Sequence, residues 1–319
     1  MDVFKPLINA AKEFQDSNIE EYYSRLDQIT GHQIDPKYNE VLNDVASYIF
    51  RFSPYLDGLR SAAKHEKWYF RVVNGVADTK SALARVLYHC ENLKRFEDDI
   101  IGLSQEHPAI GKLSATNIIQ GGNLTKLTYE YQAMVMAYRT CLDYMAWGLS
   151  GTFKQDQSSF RDFRKMLDLK RGSHIERLGF APLADALKSA YDRHASGFTF
   201  VMGKGENNEN SIRDQIAHYG FVRPAQLIMT NAGIVLQGEA EAFIAGEENP
   251  RLSTVVERRV SNLSAAINDI LSTYLSGLQA YDKPKAVGAY SPESRRGHVK
   301  VENLGFIVSG PGQTVFNRG

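Results

Sequence analysis

The chain has 319 residues, of which 43% are hydrophobic and 23% are charged, a composition typical of a globular protein with a sizeable core. Basic and acidic residues are equal in number, 37 of each, so the sequence excludes a global positive field. Any binding of nucleic acid would therefore depend on local basic patches.

The cysteines and the lengths of the apolar runs indicate the cellular compartment in which we expect the protein. Cys90 and Cys141 both lie within apolar helical patterns, which disfavours a disulfide framework and favours a reducing cytoplasm. The first residues lack an apolar segment behind a basic one, so we expect no signal peptide. No run approaches the roughly 18 apolar residues that a membrane span needs. We therefore expect a cytoplasmic protein with no membrane partner.

Apolar stripes at i, i+3, i+4 and i+7 predict that the fold is mainly α. The stripes run from Tyr38 to Phe52, from Leu83 to Leu103, from Tyr131 to Leu149 and from Leu252 to Leu278. Ser17-x-x-Glu20 predicts a capping box that opens a further helix near the N-terminus. Such stripes are typical of the core of a helical bundle rather than of cofactor contacts.

Three segments break the helical pattern and divide the chain. Residues 106–124 contain three Gly and one Pro and show no clear helical period, so we predict a boundary between an N-terminal helical region, 1–110, and a helical domain, 111–282. Two β-prone runs within 225–238 predict a small β-hairpin near 226–237. Residues 283–319 are predicted to form a Gly- and Pro-containing tail or a small β element. The basic stretch 283–300 in that tail is either a phosphate-binding segment or a solvated one.

Most catalytic motifs are missing from the sequence. It holds no G-x-x-x-x-G-K-[ST], no C-x-x-C, no H-E-x-x-H and no G-x-S-x-G. We therefore expect no cofactor and no bound metal ion.

One candidate site remains, in the stretch NENSIRDQIAHYGF at residues 208–221. With about 100° per residue, a helix here would place Ile212, Ile216 and Tyr219 on its core face. Asp214 and His218 would be i, i+4 neighbours on the far side, and Arg213 would lie at the flank. The spacing Arg-x4-His also occurs at Arg60 and His65, so spacing alone does not identify a site.

A purely structural interpretation accounts for the same residues one by one. Ser211 could be the N-cap and Asp214 the acidic residue of a capping box. Arg213 could pair with Glu209. His218, just before Gly220, could simply suit the negative end of the helix dipole.

At these residues the sequence resembles the HEPN superfamily of helical proteins. The likeness consists of Arg213, a polar residue at 214, and His218 in a short predicted helix. The long helix at 129–153, with its Leu-Asp-Tyr step at Leu142–Tyr144, resembles the helix that precedes the motif in this superfamily. The resemblance covers roughly residues 124–280 and leaves out 1–110 and the tail.

The resemblance implies a HEPN-like helical bundle and a metal-independent endoribonuclease of the phage-defence or toxin–antitoxin type. It implies Arg213, His218 and Asp214 as the catalytic residues, RNA as the substrate, a homodimer with a composite cleft, and an antitoxin or defence-system partner protein. Some members carry a modified tyrosine two residues after the histidine, whereas this chain has Gly220 there. Other relatives bind without cleaving, so a non-catalytic binding or scaffold module is the alternative.

Overall fold

A computed structural model describes most of the helical part of the chain. The described residues are 36–50, 63–106, 124–153, 155, 157–168, 181–202, 211–219, 222, 224–230, 233–238, 251–285, 305–308 and 314–317. By its contacts the chain divides after Asp35, and every described residue belongs to the unit that begins at Pro36.

The described elements are mostly helices, which confirms the prediction of a mainly α fold. The helices are α1 (Pro36–Phe50), α2 (Ala63–Gln105), α3 (Thr125–Ser150), α4 (Phe163–Met166), α5 (Ala181–His194), α6 (Thr199–Met202), α7 (Ile212–Tyr219) and α8 (Leu252–Lys285). Short 3₁₀ turns lie at Phe160–Asp162 and Ala195–Phe198. Within the described part of the chain, no helix is at once long enough and apolar enough to span a membrane.

The predicted apolar stripes form the core with few exceptions. The residues of the α3 stripe and of the α8 stripe are all buried, as are Leu42 and Ile49 of α1. For one residue of the α2 stripe the prediction of burial is wrong: Leu103, near the end of that helix, is 74% exposed. Periodicity assigns a residue to a helix face, but burial also needs a neighbour over that face.

The helices α2 and α3 approach each other closely where they cross. A Cβ built on Gly148 would lie 2.9 Å from the Cα of Gly75, so the two backbones touch where both residues lack a side chain. Arg71, one turn before Gly75, donates hydrogen bonds to the carbonyl oxygens of Trp147 (3.0 Å) and Gln155 (3.0 Å). Arg71 thus binds the last turn of α3 and the segment that follows it, where carbonyl groups have no partner within the helix.

The long helix α8 packs against α1, α2 and α5 and so completes the bundle. Its Tyr274 is fully buried and shares a 2.5 Å hydrogen bond with Thr152, just after α3. At its start, the buried carboxylate of Glu97 accepts a hydrogen bond from the Ser253 N–H at 2.8 Å. A carboxylate suits this position because the N–H groups at a helix start lack partners within the helix.

Two pairs of strands accompany the helices. β1 (Ala225–Thr230) pairs antiparallel with β2 (Gly233–Gly238), with Leu227 opposite Leu236, and β2 packs against α2 and α8. β3 (Gly305–Val308) pairs antiparallel with β4 (Thr314–Asn317) near the C-terminus.

Several predictions fall outside the described residues. They concern the capping box at Ser17, the side chains of Arg60 and His65, the residue Gly220 and the basic stretch from 286 to 300. The predicted boundary also falls in such a range, 107–123, although α2 and α3 on its two sides pack against each other. The division into 1–110, 111–282 and 283–319 stays a prediction.

Candidate functional site

The candidate residues lie on α7, an eight-residue helix that packs against α3 and α6. Ser211 is its N-cap, as the capping pattern predicts: the Ser211 Oγ accepts a hydrogen bond from the Asp214 N–H at 3.0 Å. The Ser211 carbonyl accepts a second bond, from the Gln215 N–H at 2.9 Å. Ser211 and Ile212 are buried, so the start of α7 is fixed against the bundle.

Arg213 and Asp214 are in contact with each other. The Arg213 Nη1 donates to the Asp214 Oδ1 at 3.0 Å, and both side chains are about one-third exposed or less, at 33% and 28%. The Arg213 Nε is buried and has no hydrogen-bond partner among the described residues. The alternative partner considered for Arg213, Glu209, lies outside the described residues.

The carboxyl group of Asp214 is held in its ionised form. Partial burial opposes the charge, but hydrogen bonds from Arg213 and Ser211 and the positive charges of Arg213 and Arg161 outweigh it. The pKa of Asp214 therefore lies below its ordinary value of 3.8. At neutral pH Asp214 is an anion that orients cations, and it cannot serve as a proton donor.

His218 lies in the last turn of α7, and its side chain is exposed, as is that of Ala217 beside it. Ile216 is only partly buried, so the core face of α7 is narrower than the periodicity predicts. The structure thus brings Arg213 and Asp214 into contact and places His218 one turn beyond Asp214 on the same short helix.

Arg139 and Asp143 on α3 form a pair that holds α6 in place beside α7. This pair was not predicted from the sequence. The Arg139 Nε donates to the Asp143 Oδ2 at 2.8 Å. Arg139 also donates to the carbonyl of Val201 in α6 (3.1 Å) and to the Ser159 Oγ (2.7 Å). The available signal was an Arg and an Asp at i, i+4 on a predicted helix, a spacing that brings the two side chains together.

Four other titratable groups in the described part of the chain, those of Arg193, His194, Cys90 and Cys141, give no second reactive site. His194 and Arg193 both bind the Asp269 carboxylate on α8, at 2.9 Å and 2.8 Å, and form a surface ion-pair cluster. Burial raises the pKa of the Cys90 thiol to about 11 and raises the pKa of the Cys141 thiol further. Both thiols therefore stay protonated at neutral pH, which makes them poor nucleophiles.

In the part of the chain that the structure describes, no three His, Cys, Asp or Glu side chains are grouped so that they could hold a metal ion. Comparisons with protein-family models, with curated proteins and with solved structures find no match.

Proposed function

We propose that this chain is a metal-independent endoribonuclease of HEPN type, with a HEPN-like helical bundle, a small β-hairpin and a homodimeric active form. The observation that carries the proposal is the arrangement on α7: an ionised Asp214 binds Arg213, and an exposed His218 follows within one turn. The chain thereby offers a fixed cation and an accessible imidazole on one short helix.

These groups match the demands of RNA cleavage by the ribose 2′-hydroxyl. The 2′-oxygen attacks the adjacent phosphorus, the bond to the 5′-oxygen breaks, and a 2′,3′-cyclic phosphate and a free 5′-hydroxyl result. A proton must leave the 2′-hydroxyl and another must reach the departing 5′-oxygen, and an imidazole suits such transfers near neutral pH. The reaction needs no oxidant and no activated co-reactant.

Arg213 would stabilise the negative charge that builds on the phosphate oxygens. A guanidinium carries five N–H donors, and the ion pair with Asp214 occupies the Nη1 nitrogen. Asp214 fixes the Arg213 side chain and so lowers the entropy lost when a phosphate binds. We assign Arg213 and His218 as catalytic residues and Asp214 as the residue that positions Arg213.

The proposed homodimer would place a second α7 opposite the first and form one shared cleft. The side chains of Ala217 and His218 lie at the surface of α7, where such a neighbour would approach. A cytoplasmic location, a role in phage defence or toxin–antitoxin biology, and an antitoxin or defence-system partner belong to the same proposal.

Incubation of purified protein with total RNA tests the proposed function. We expect the wild type to release fragments with 2′,3′-cyclic phosphate ends in the presence of EDTA. His218→Ala should lower the rate by about 10²-fold or more, because it removes the proton-transferring group. His194→Ala is the matched control, since it removes a histidine of α5 that binds Asp269 on α8 and does not belong to the motif on α7. Equal cleavage by the wild type and His218→Ala would contradict the proposal.

A second candidate function is a non-catalytic binding or scaffold module. It is favoured by the local contacts of α7, in which Ser211 caps the helix and Asp214 neutralises Arg213 without any substrate. In this case the RNA stays intact with every variant. A crystal structure of a dimer in which Arg213 and His218 line a shared cleft would exclude this candidate.

A further inference from the structure

The side chain of Arg139 joins α3 to α6 and to the segment before the 160–162 turn. Its Nε donates to the Asp143 Oδ2 at 2.8 Å. Its Nη1 donates to the carbonyl oxygen of Val201 at 3.1 Å, and its Nη2 donates to the Ser159 Oγ at 2.7 Å. The Nη1 also lies 3.0 Å from the sulfur of Met202. A guanidinium holds its donors in fixed directions within one plane, so this single side chain serves acceptors in three parts of the bundle.

The bond to Val201 holds the end of α6. Because α6 is a single turn, the carbonyl groups of its last residues have no partner within the helix. Arg139 supplies a charged donor to one of them, and Asp143 keeps the guanidinium in place. The side chains of Arg139 and Asp143 are 13% and 28% exposed, so solvent and salt screen this ion pair less than they would at an open surface.

The ring of Phe200 attaches α6 to the bundle in a second way. Phe200 meets Tyr138 of α3 edge to face, with 4.8 Å between the ring centroids. On α8, the guanidinium carbon of Arg259 lies 3.2 Å from the centroid of the Phe200 ring. These ring contacts do not involve Arg139. Loss of the Arg139 hydrogen bonds should therefore loosen α6 without detaching it, and the bundle should stay folded.

The helix α7 rests on α6 as well as on α3. Ile212, its first residue, is buried, and the next two residues are Arg213 and Asp214, whose side chains form the ion pair of the candidate site. α6 is thus one of two elements that determine where the Arg213 guanidinium lies. A displacement of about 1 Å in a group that stabilises a transition state can lower a rate by about 10²-fold.

We propose that Arg139 is a positioning residue of the α7 site: through α6 it fixes the place of α7 and hence of the Arg213–Asp214 pair. Arg139 is not a catalytic residue, because its nitrogens bind acceptors of the protein itself. Asp143 contributes by orienting Arg139. The effect of Arg139 on catalysis rests on the proposed function, whereas its effect on the placement of α7 does not.

Hydrogen exchange measures the placement of α7 without any RNA. Arg139→Lys keeps a positive charge beside Asp143 but lacks the planar fork that reaches three acceptors. We expect the amides of α6 and α7 to exchange about tenfold faster than in the wild type, while those of α2 stay unchanged. Arg193→Lys is the matched control, since Arg193 also binds an aspartate, Asp269, but joins α5 to α8. It should leave the exchange of α7 unchanged.

Cleavage of a short single-stranded RNA tests the consequence for the site. We expect Arg139→Lys to lower kcat about tenfold and to change KM by less than about twofold, because a displaced Arg213 still meets the phosphate but stabilises the transition state less. Asp143→Asn should lower kcat by a smaller factor, since its amide oxygen can still accept the Phe160 N–H. Arg193→Lys should change neither constant. Circular dichroism at the assay temperature shows that each variant is folded.

The outcomes separate this inference from the proposed function. Unchanged exchange of α7 in Arg139→Lys, or equally fast exchange in Arg193→Lys, overturns the role of Arg139 whether or not the protein cleaves RNA. Faster exchange with kcat at the wild-type value overturns it as well. Faster exchange confined to α6 and α7, in a protein that leaves RNA intact, supports the placement of α7 by Arg139 and overturns the proposed function alone. If Arg139→Lys does not fold, the milder Asp143→Asn decides by the same criteria.

Discussion

The crossing of α2 and α3 and the short helix α7 differ in what holds them in place. At the crossing, the backbones of Gly75 and Gly148 touch, and no side chain fits between them. On α7, a hydroxyl cap at Ser211 and the ion pair of Arg213 with Asp214 supply the fixed contacts. The crossing depends on close packing, which leaves no room for an added atom. The position of α7 depends on hydrogen bonds, each of which contributes only a small free energy to stability.

These two kinds of contact should respond differently to substitution. A change at the crossing should affect the free energy of unfolding of the whole bundle. A change on α7 should alter the site while the bundle stays folded, because the side chains of Ala217 and His218 are exposed. The following substitutions test this contrast, in order of decreasing effect.

Gly75→Ala should have the largest effect. The new Cβ would lie against the Gly148 Cα and 2.8 Å from the Gly148 backbone nitrogen, so one helix would have to move. We expect a loss of about 3 kcal/mol in the free energy of unfolding, measured by denaturant titration.

Gly102→Ala is the matched control for that substitution. It lies on the same helix, and an added Cβ would meet no atom within 4 Å. Since Ala favours a helix over Gly, stability should rise by about 0.5 kcal/mol or slightly more. A similar loss in both variants would show that the glycine contact is not what holds α2 and α3 together.

Ser211→Ala should have an intermediate effect that is local to α7. The change removes the acceptor for the Asp214 N–H and should cost about 1 kcal/mol of helix stability. Faster hydrogen exchange of the α7 amides would report it, with α2 and α3 unchanged. The control is Ser189→Ala, because Ser189 is exposed and its hydroxyl only binds the Asp185 carbonyl one turn earlier in α5. Equal exchange in both variants would contradict the capping role.

Asp214→Asn should have the smallest effect, and one that depends on pH. The pKa of Asp214 is depressed in the folded state, so its charge stabilises the fold above the ordinary value of 3.8 and ceases to do so as the pH falls through the lower, folded pKa. Because the group is partly exposed, we expect a difference below about 1 kcal/mol at neutral pH. Denaturant unfolding of both proteins should give converging stabilities below about pH 4. A difference that persists in acid would show that the ion pair with Arg213 is not its source.

The helices and their buried faces could be predicted from the sequence because each depends on a local period. Burial of Tyr131, Cys141 and Leu149 on α3 follows from the spacing of apolar residues within that helix alone. Leu103 has the same spacing and is exposed, because nothing in the described part of the chain covers the end of α2.

Only the contacts of the candidate site between residues close in sequence could be predicted. The cap at Ser211 follows from a residue type and its distance along the chain from Asp214. The structural interpretation of the sequence offered Glu209 as the partner of Arg213, whereas Arg213 binds Asp214, its neighbour along the chain. The role of Arg139 was missed although Asp143 follows it at i, i+4, because that spacing does not show that Arg139 also binds Ser159 and Val201.

The mainly α fold, the position of α7 and the residue types available for chemistry on it all follow from the amino-acid sequence alone. Helical periodicity and capping act over a few residues, so the chain encodes them directly. The contact of Gly75 with Gly148 and the binding of Arg139 to both Ser159 and Val201 arise only when the chain packs in three dimensions. Such contacts join residues far apart in sequence, and they exist only because the packing of α2, α3 and α8 brings their elements together.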